Sequence, residues 1–301
     1  MRLLAASSSA LVLSACGLLD ASGTPTRGAW RAGLGHWPAN SQAGVEGCLQ
    51  QGYPAIEVDI FLASDRVPVL SHEVVLDPER CTWASGATLD ELLFIYQLSS
   101  AELASNYLCG GLGDPDHPDA EKTAQPLLDM TEFLSLIETD PALEVHLDAR
   151  WEPGLSHASE VYAAEILERW WAADLPNPFT VSASLPEMVM ALEERGDQAG
   201  RPVTTFLTWP RVPAGVDPAS LGWVHELATT AGIEDPVGAA LDAGADGLRL
   251  SMATADRGAV AHARSEDLLI QIEGIERSAQ ADAFDRWPIE AMFMAAPDPA
   301  P

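Results

Sequence analysis

The sequence predicts an α/β chain whose parallel strands are joined by helical crossovers, in the form of a (β/α)8 TIM barrel, regular or distorted. Three observations predict it. Strand-like apolar runs alternate with helix-like segments along the chain. Of 301 residues, 285 follow a 16-residue leader, a length that suits one such barrel. Glu57 and Asp59 stand two apart in Ala55-Ile-Glu-Val-Asp-Ile60, so a strand projects both carboxylates from one face.

The leader comes first. Met1-Arg2 gives a short positive start, Leu3 to Val12 an apolar run, and Leu13-Ser-Ala-Cys16 a small-residue cleavage site. That tetrad resembles a bacterial lipobox, in which Cys16 is lipidated and becomes the mature N-terminus. The expectation is export to the bacterial cell envelope with a lipid anchor, facing the periplasm or the cell surface. Residues 17–29, rich in Gly, Ser, Thr and Pro, read as a flexible tether. Residues 30–301 read as the barrel.

Strands are expected at 32–35, 55–61, 67–71, 143–149, 179–182, 203–207, 246–250, 268–272 and 291–294. Helices are expected at 42–51, 130–138, 157–173, 185–195, 235–243, 256–264 and 276–285. Asp129-Met-Thr-Glu132 carries a capping-box start signal for the second of these. Residues 73–128 break the rhythm, and an insertion after an early barrel strand lands over the C-terminal face. It contains Cys81 and Cys109, which in an oxidising compartment form a staple. Cys48, on the apolar side of the first helix, is expected as a buried thiol.

Asp and Glu total 45 against 16 Lys and Arg, a formal net charge of -29. Such a surface argues against nucleic acid as a partner, because phosphate backbones need basic surface. It also disfavours loose adsorption to anionic lipid. The sequence does not specify an oligomeric state.

Two carboxylates facing one another inside a core need a cation, and Mg²⁺ or Ca²⁺ takes oxygen ligands. Leu143-Glu-Val-His-Leu-Asp-Ala-Arg150 alternates in the same way and sets Asp148 and Arg150 on one face, with Glu144 and His146. Val67-Pro-Val-Leu-Ser-His72 delivers a histidine at a strand end, and His36 follows Ala32-Gly-Leu-Gly35.

These blocks resemble the glycerophosphodiester phosphodiesterase family, related to the sphingomyelinase D-like phospholipases and part of the phospholipase C-like phosphodiesterase barrel superfamily. The family pattern runs His-Arg-Gly, Pro-Glu-Asn-Thr, Glu-x-Asp, His-Asp and Glu-x-Lys. Here it reads His36-Trp-Pro-Ala-Asn-Ser41, Glu57-Val-Asp59, His72-Glu73 and Asp148-Ala-Arg150. The arginine and glycine after the first histidine are missing, and Asp148, Arg150 and Glu73 replace Glu, Lys and Asp. The resemblance implies a metal-dependent hydrolase of glycerophosphodiesters that releases glycerol-3-phosphate and an alcohol. A divalent metal would sit on Glu57, Asp59 and Asp148, His36 and His72 would carry protons, and Arg150 would hold the phosphate. Trp37 and Trp209 are candidates for the substrate pocket. The short loop after His36 and the Asp at 148 leave open a sphingomyelinase D-like enzyme acting on membrane phospholipids or lysophospholipids. A catalytically decayed barrel serving as a tethered binding protein is the third alternative.

Overall fold

The computed structural model describes residues 23–154, 157–209, 235–253 and 255–297. The expected leader and its Cys16 lie outside the described residues.

Eight parallel strands close into a barrel. They are β1 (Thr26–Ala29), β2 (Ala55–Leu62), β3 (Glu144–Ala149), β4 (Phe179–Ala183), β5 (Thr204–Trp209), β6 (Gly247–Ser251), β7 (Leu269–Arg277) and β8 (Ala291–Ala296). Each pairs with the next, and β1 pairs with both β8 and β2, so the sheet has no parallel edge. Every crossover described contains a helix, from Gln42–Gln51 between β1 and β2 to the single turn Ser278–Ala281 between β7 and β8. The helices start and stop where the sequence supplies caps. Ser41 accepts from the Gly44 amide, Asp129 and Glu132 form a capping box, and Gly52 ends the first helix at φ 69°.

β2 is buried along its whole length, since its outer residues pack under helices while its inner ones fill the barrel. One apolar core runs between barrel and helices, through Ile56, Val58, Val145, Leu147, Phe133 and Ile166.

Four expectations need correction. The first strand is Thr26–Ala29, so residues 26–29 belong to the barrel and not to a tether. Residues 32–35 form no strand, because Arg31, Ala32 and Gly33 all adopt left-handed backbone at φ 49°, 56° and 79°. The run at 67–71 is not a barrel strand. Pro68–Leu70 folds back antiparallel on β2 as a hairpin, pairing Ile60 with Leu70. The last expected helix, 276–285, shrinks to Ser278–Ala281.

The insertion at 73–128 is ordered around its own small core of Val74, Leu76, Leu89, Ile95, Leu103 and Tyr107. Val75–Leu76 pairs with Leu93–Phe94, and Cys81–Trp83 with Tyr107–Cys109. Cys81 and Cys109 are register partners and are joined by a disulfide, while Cys48 is a buried free cysteine. Burial pushes the Cys48 thiol up to about 12.

Candidate active site

The C-terminal ends of β2 and β3 carry the site. Register sets it, because Asp59 lies opposite Asp148 and Glu57 opposite His146. Glu57, Asp59 and Asp148 are at most 3% exposed, and one oxygen from each lies within 4.8 Å of the others. The structure therefore brings these three together as the sequence pattern implied.

Each carboxylate has a built setting. The Asp148 Oδ1 accepts from Ser182 Oγ at 2.6 Å, and its Oδ2 accepts from Arg150 Nη1 at 3.2 Å. Asp59 accepts from Asn40 Nδ2 at 2.7 Å, with Arg31 Nε at 3.5 Å and Arg150 Nε at 3.9 Å. Burial alone would raise the Asp59 carboxyl. His72, Arg31, Arg150 and the Asn40 hydrogen bond outweigh it and hold the group below its usual range. Glu57 goes the other way. Burial, then the Asp59 charge, pushes it well up, with Arg249 only partly opposing.

His72 stands beside Asp59 because the hairpin returns it there, with the Ser71 amide donating to the Asp59 carbonyl at 3.0 Å. Its Nδ1 lies 2.7 Å from Glu73 Oε1. Glu73 is held at about 2, first by that hydrogen bond. Burial lowers the imidazole, with Arg150 and Arg31 adding to the effect. With Nδ1–H given to Glu73, the Nε2 lone pair is available.

His36, expected as the second proton carrier, makes its contacts outside the carboxylate cluster. His36 is exposed, its Nε2 lies 3.3 Å from the Pro297 carbonyl, and its ring meets Trp37 edge-on. Among the described residues, no hydrogen bond or ion pair joins it to the carboxylates. It lies seven positions past the end of β1, and the left-handed turn at 31–33 carries the chain away. The residues that follow β1 directly are Trp30 and Arg31. Trp30-Arg31-Ala32 thus enters the loop directly from β1, ahead of Pro38-Ala-Asn-Ser41. Trp37 is wedged on the first helix, where a Cβ at Gly47 would meet its ring at 2.3 Å. Trp209 ends β5, half-buried against the core.

Sequence reasoning missed several contributors. Arg31 Nε faces Asp59, and its amide donates to Glu57 Oε2 at 2.8 Å. Arg249 on β6, fully buried, reaches Glu57 Oε1 at 3.7 Å and Glu273 Oε2 at 3.9 Å. Burial lifts Glu273 to about 7. Arg31 has a sequence signal, since Trp30-Arg31-Ala32 stands just ahead of Pro38-Ala-Asn-Ser41.

The donor set fits a hard divalent cation. All three groups offer oxygen, and among the described residues the buried Glu57 Oε1 has no hydrogen-bond partner. Beside the carboxylates a cavity opens between barrel and insertion. Arg31, Asn40, His72, Leu76, Arg80 and Leu127 are among the residues that line it.

No protein-family profile matches the sequence, and no curated protein does. Solved structures do match. A Silicibacter pomeroyi protein named as a glycerophosphoryl diester phosphodiesterase superposes with TM-score 0.78 at 18% identity, covering 93% of both chains. An Oleispira antarctica phosphodiesterase, solved with the product sn-glycerol-3-phosphate, gives 0.67 at 17% identity over 91% of this chain and 94% of that one. An Agrobacterium tumefaciens glycerophosphodiester phosphodiesterase gives 0.61 at 14% identity over 90% and 96%. The chain has the closed barrel fold of these phosphodiesterases over nearly its full length.

Proposed function

We propose that this chain is a metal-dependent phosphodiester hydrolase of glycerophosphodiesters, exported and held at the cell envelope through a lipid on Cys16. The observation that carries the reading is the buried Glu57, Asp59 and Asp148 cluster, with His72 and two guanidinium groups beside it. The Oleispira phosphodiesterase of the same fold was solved with sn-glycerol-3-phosphate, which supports glycerol-3-phosphate as one product.

Glu57, Asp59 and Asp148 would hold the cation, Mg²⁺ or Ca²⁺, which supplies Lewis-acid charge neutralisation at phosphorus when bound. Arg31 and Arg150 are placed to take phosphate oxygens, a match for the planar guanidinium. His72 is the proton carrier. Its Nε2 takes the proton of the attacking water or substrate hydroxyl and returns it to the leaving oxygen. Glu73 fixes the tautomer and the ring. His36 has no part in this scheme, so a single imidazole does both transfers.

The phospholipase D-like alternative loses one support, since the first loop is short only when counted from His36. Counted from Arg31, it spans residues 32–39. Trp30, and not a histidine, follows β1 directly, which favours the other alternative, a barrel that binds without turnover. Product analysis separates the three. With Mg²⁺ or Ca²⁺, glycerophosphocholine should yield glycerol-3-phosphate and choline by mass spectrometry. Choline release from lysophosphatidylcholine alone would favour the lipid enzyme. Binding of glycerophosphocholine with no product from either would favour the decayed barrel.

A further inference from the structure

Below the carboxylates, the barrel axis holds a charged group that the scheme above leaves unused. Arg249 is 0% exposed and is the largest fully buried side chain among the described residues. Its head is fixed from two sides. Nε donates to Gln271 Oε1 at 3.0 Å, and the Phe293 ring lies 5.1 Å from the guanidinium carbon. Gln271 is oriented in turn, because its Nε2 lies 3.2 Å from His146 Nδ1, a ring that also meets Thr180 Oγ1 at 2.8 Å.

Nη1 of this anchored guanidinium faces Glu57 Oε1 at 3.7 Å and Glu273 Oε2 at 3.9 Å. Among the described residues, Nη1, Nη2 and Glu57 Oε1 are all buried without a hydrogen-bond partner. A buried cation with idle donors is costly to maintain, so it must be opposed by charge. The other two guanidinium groups are committed elsewhere. Arg31 pairs with Asp59, and Arg150 with Asp148 and Asp59. Arg249 is the counter-charge that faces Glu57.

A resident cation beside a metal ligand has two opposed effects. It repels an incoming metal, and it holds the ligand oxygen where the metal needs it. Geometry decides for the second. The guanidinium stops beyond hydrogen-bonding distance and leaves Oε1 uncommitted, on the carboxylate whose other oxygen is tied to the Arg31 amide at 2.8 Å. We propose that Arg249 is a positioning residue of the carboxylate centre, a cation built into the barrel interior that aims Glu57 Oε1 toward Asp59 and Asp148. The proposal rests on the metal-site reading of those three residues.

The test is a calorimetric titration with Mg²⁺ or Mn²⁺ alone, independent of any substrate. Arg249→Met should weaken metal affinity about 10–100-fold, the range seen when a partner supporting a metal ligand is lost. Arg249→Lys should recover part of that loss. Gln271→Leu keeps the charge but frees its aim and should fall between the wild type and Arg249→Met. On a glycerophosphodiester, kcat should fall in the same order while KM stays within about twofold, as for a contact that serves the transition state. Unchanged or tighter metal binding by folded Arg249→Met would overturn the proposal, showing a structural or repulsive role. If Arg249→Met does not fold, wild-type affinity in Gln271→Leu overturns it. A wild type that binds neither ion refutes the metal reading itself, which is a separate failure from a variant that binds as well as the wild type.

Discussion

Asn40 and Asp59 hold each other through two hydrogen bonds: Asn40 Nδ2 donates to Asp59 Oδ2 at 2.7 Å, and the Asp59 amide donates to Asn40 Oδ1 at 3.0 Å. Asn40 is 3% exposed and sits in left-handed backbone at φ 55°, a conformation asparagine tolerates better than most residues. The loop after β1 thus fixes the angle of one carboxylate in β2. Asn40→Ala should weaken divalent metal binding by about 10–100-fold with little change in the far-ultraviolet dichroism. Wild-type affinity by calorimetry would show that Asp59 needs no such support.

The two histidines should differ. His72→Ala should lower turnover of a glycerophosphodiester by about 10²–10⁴-fold, the range for a lost proton carrier. His36→Ala should stay close to wild type, because among the described residues its ring meets Trp37 and the Pro297 carbonyl. Steady-state kinetics on both variants decides this, and a large loss in His36→Ala would restore a two-imidazole mechanism.

The disulfide joins residues 28 apart and clamps the antiparallel pair Cys81–Trp83 and Tyr107–Cys109. Closing such a loop stabilises by about 3–4 kcal/mol in the chain-entropy model. Peptide mapping without reduction should recover Cys81 joined to Cys109 and Cys48 as a thiol. Mild reduction should expose the insertion to protease before the barrel. Equal cleavage of both would contradict an insertion with its own core.

Glu193 supplies a pH dependence away from the site. Burial chiefly lifts it from 4.5 to about 7, against the hydrogen bond from Thr205 and with help from Asp246. The folded state therefore keeps a proton that the unfolded state has released. Stability from this group is full below about 4.5 and is lost as pH rises to about 7. Glu193→Gln should flatten the fall in melting temperature between pH 5 and pH 8. An unchanged slope would mean that Glu193 ionises normally.

Much of this fold is legible in the sequence, and the exceptions have physical causes. β2 and β3 announce themselves by alternation around apolar residues, and their shared register places Asp59 against Asp148. β1 does not, because Thr26-Arg-Gly-Ala29 has no apolar run. Gly28 is there for closeness, since a Cβ would meet Phe293 at 2.9 Å. Without that strand, the sequence points to His36, the first histidine of the chain, and away from Trp30-Arg31. Arg249 was invisible for another reason. Leu248-Arg-Leu250 reads as a strand with one solvated face, and only closure of the barrel turns that face inward. His72 was found at a strand end, but by way of a hairpin and not a barrel strand.

In the proposed function, Glu57, Asp59 and Asp148 hold a cation needed to cleave a glycerophosphodiester. Release of glycerol-3-phosphate from glycerophosphocholine, followed through chelation and metal restoration, tests this. Activity should vanish in excess chelator and return with Mg²⁺ or Ca²⁺, and Asp59→Asn should need far more metal for the same rate, since an amide oxygen lacks the charge of a carboxylate. Full activity in excess chelator, or equal metal dependence in Asp59→Asn, would contradict it.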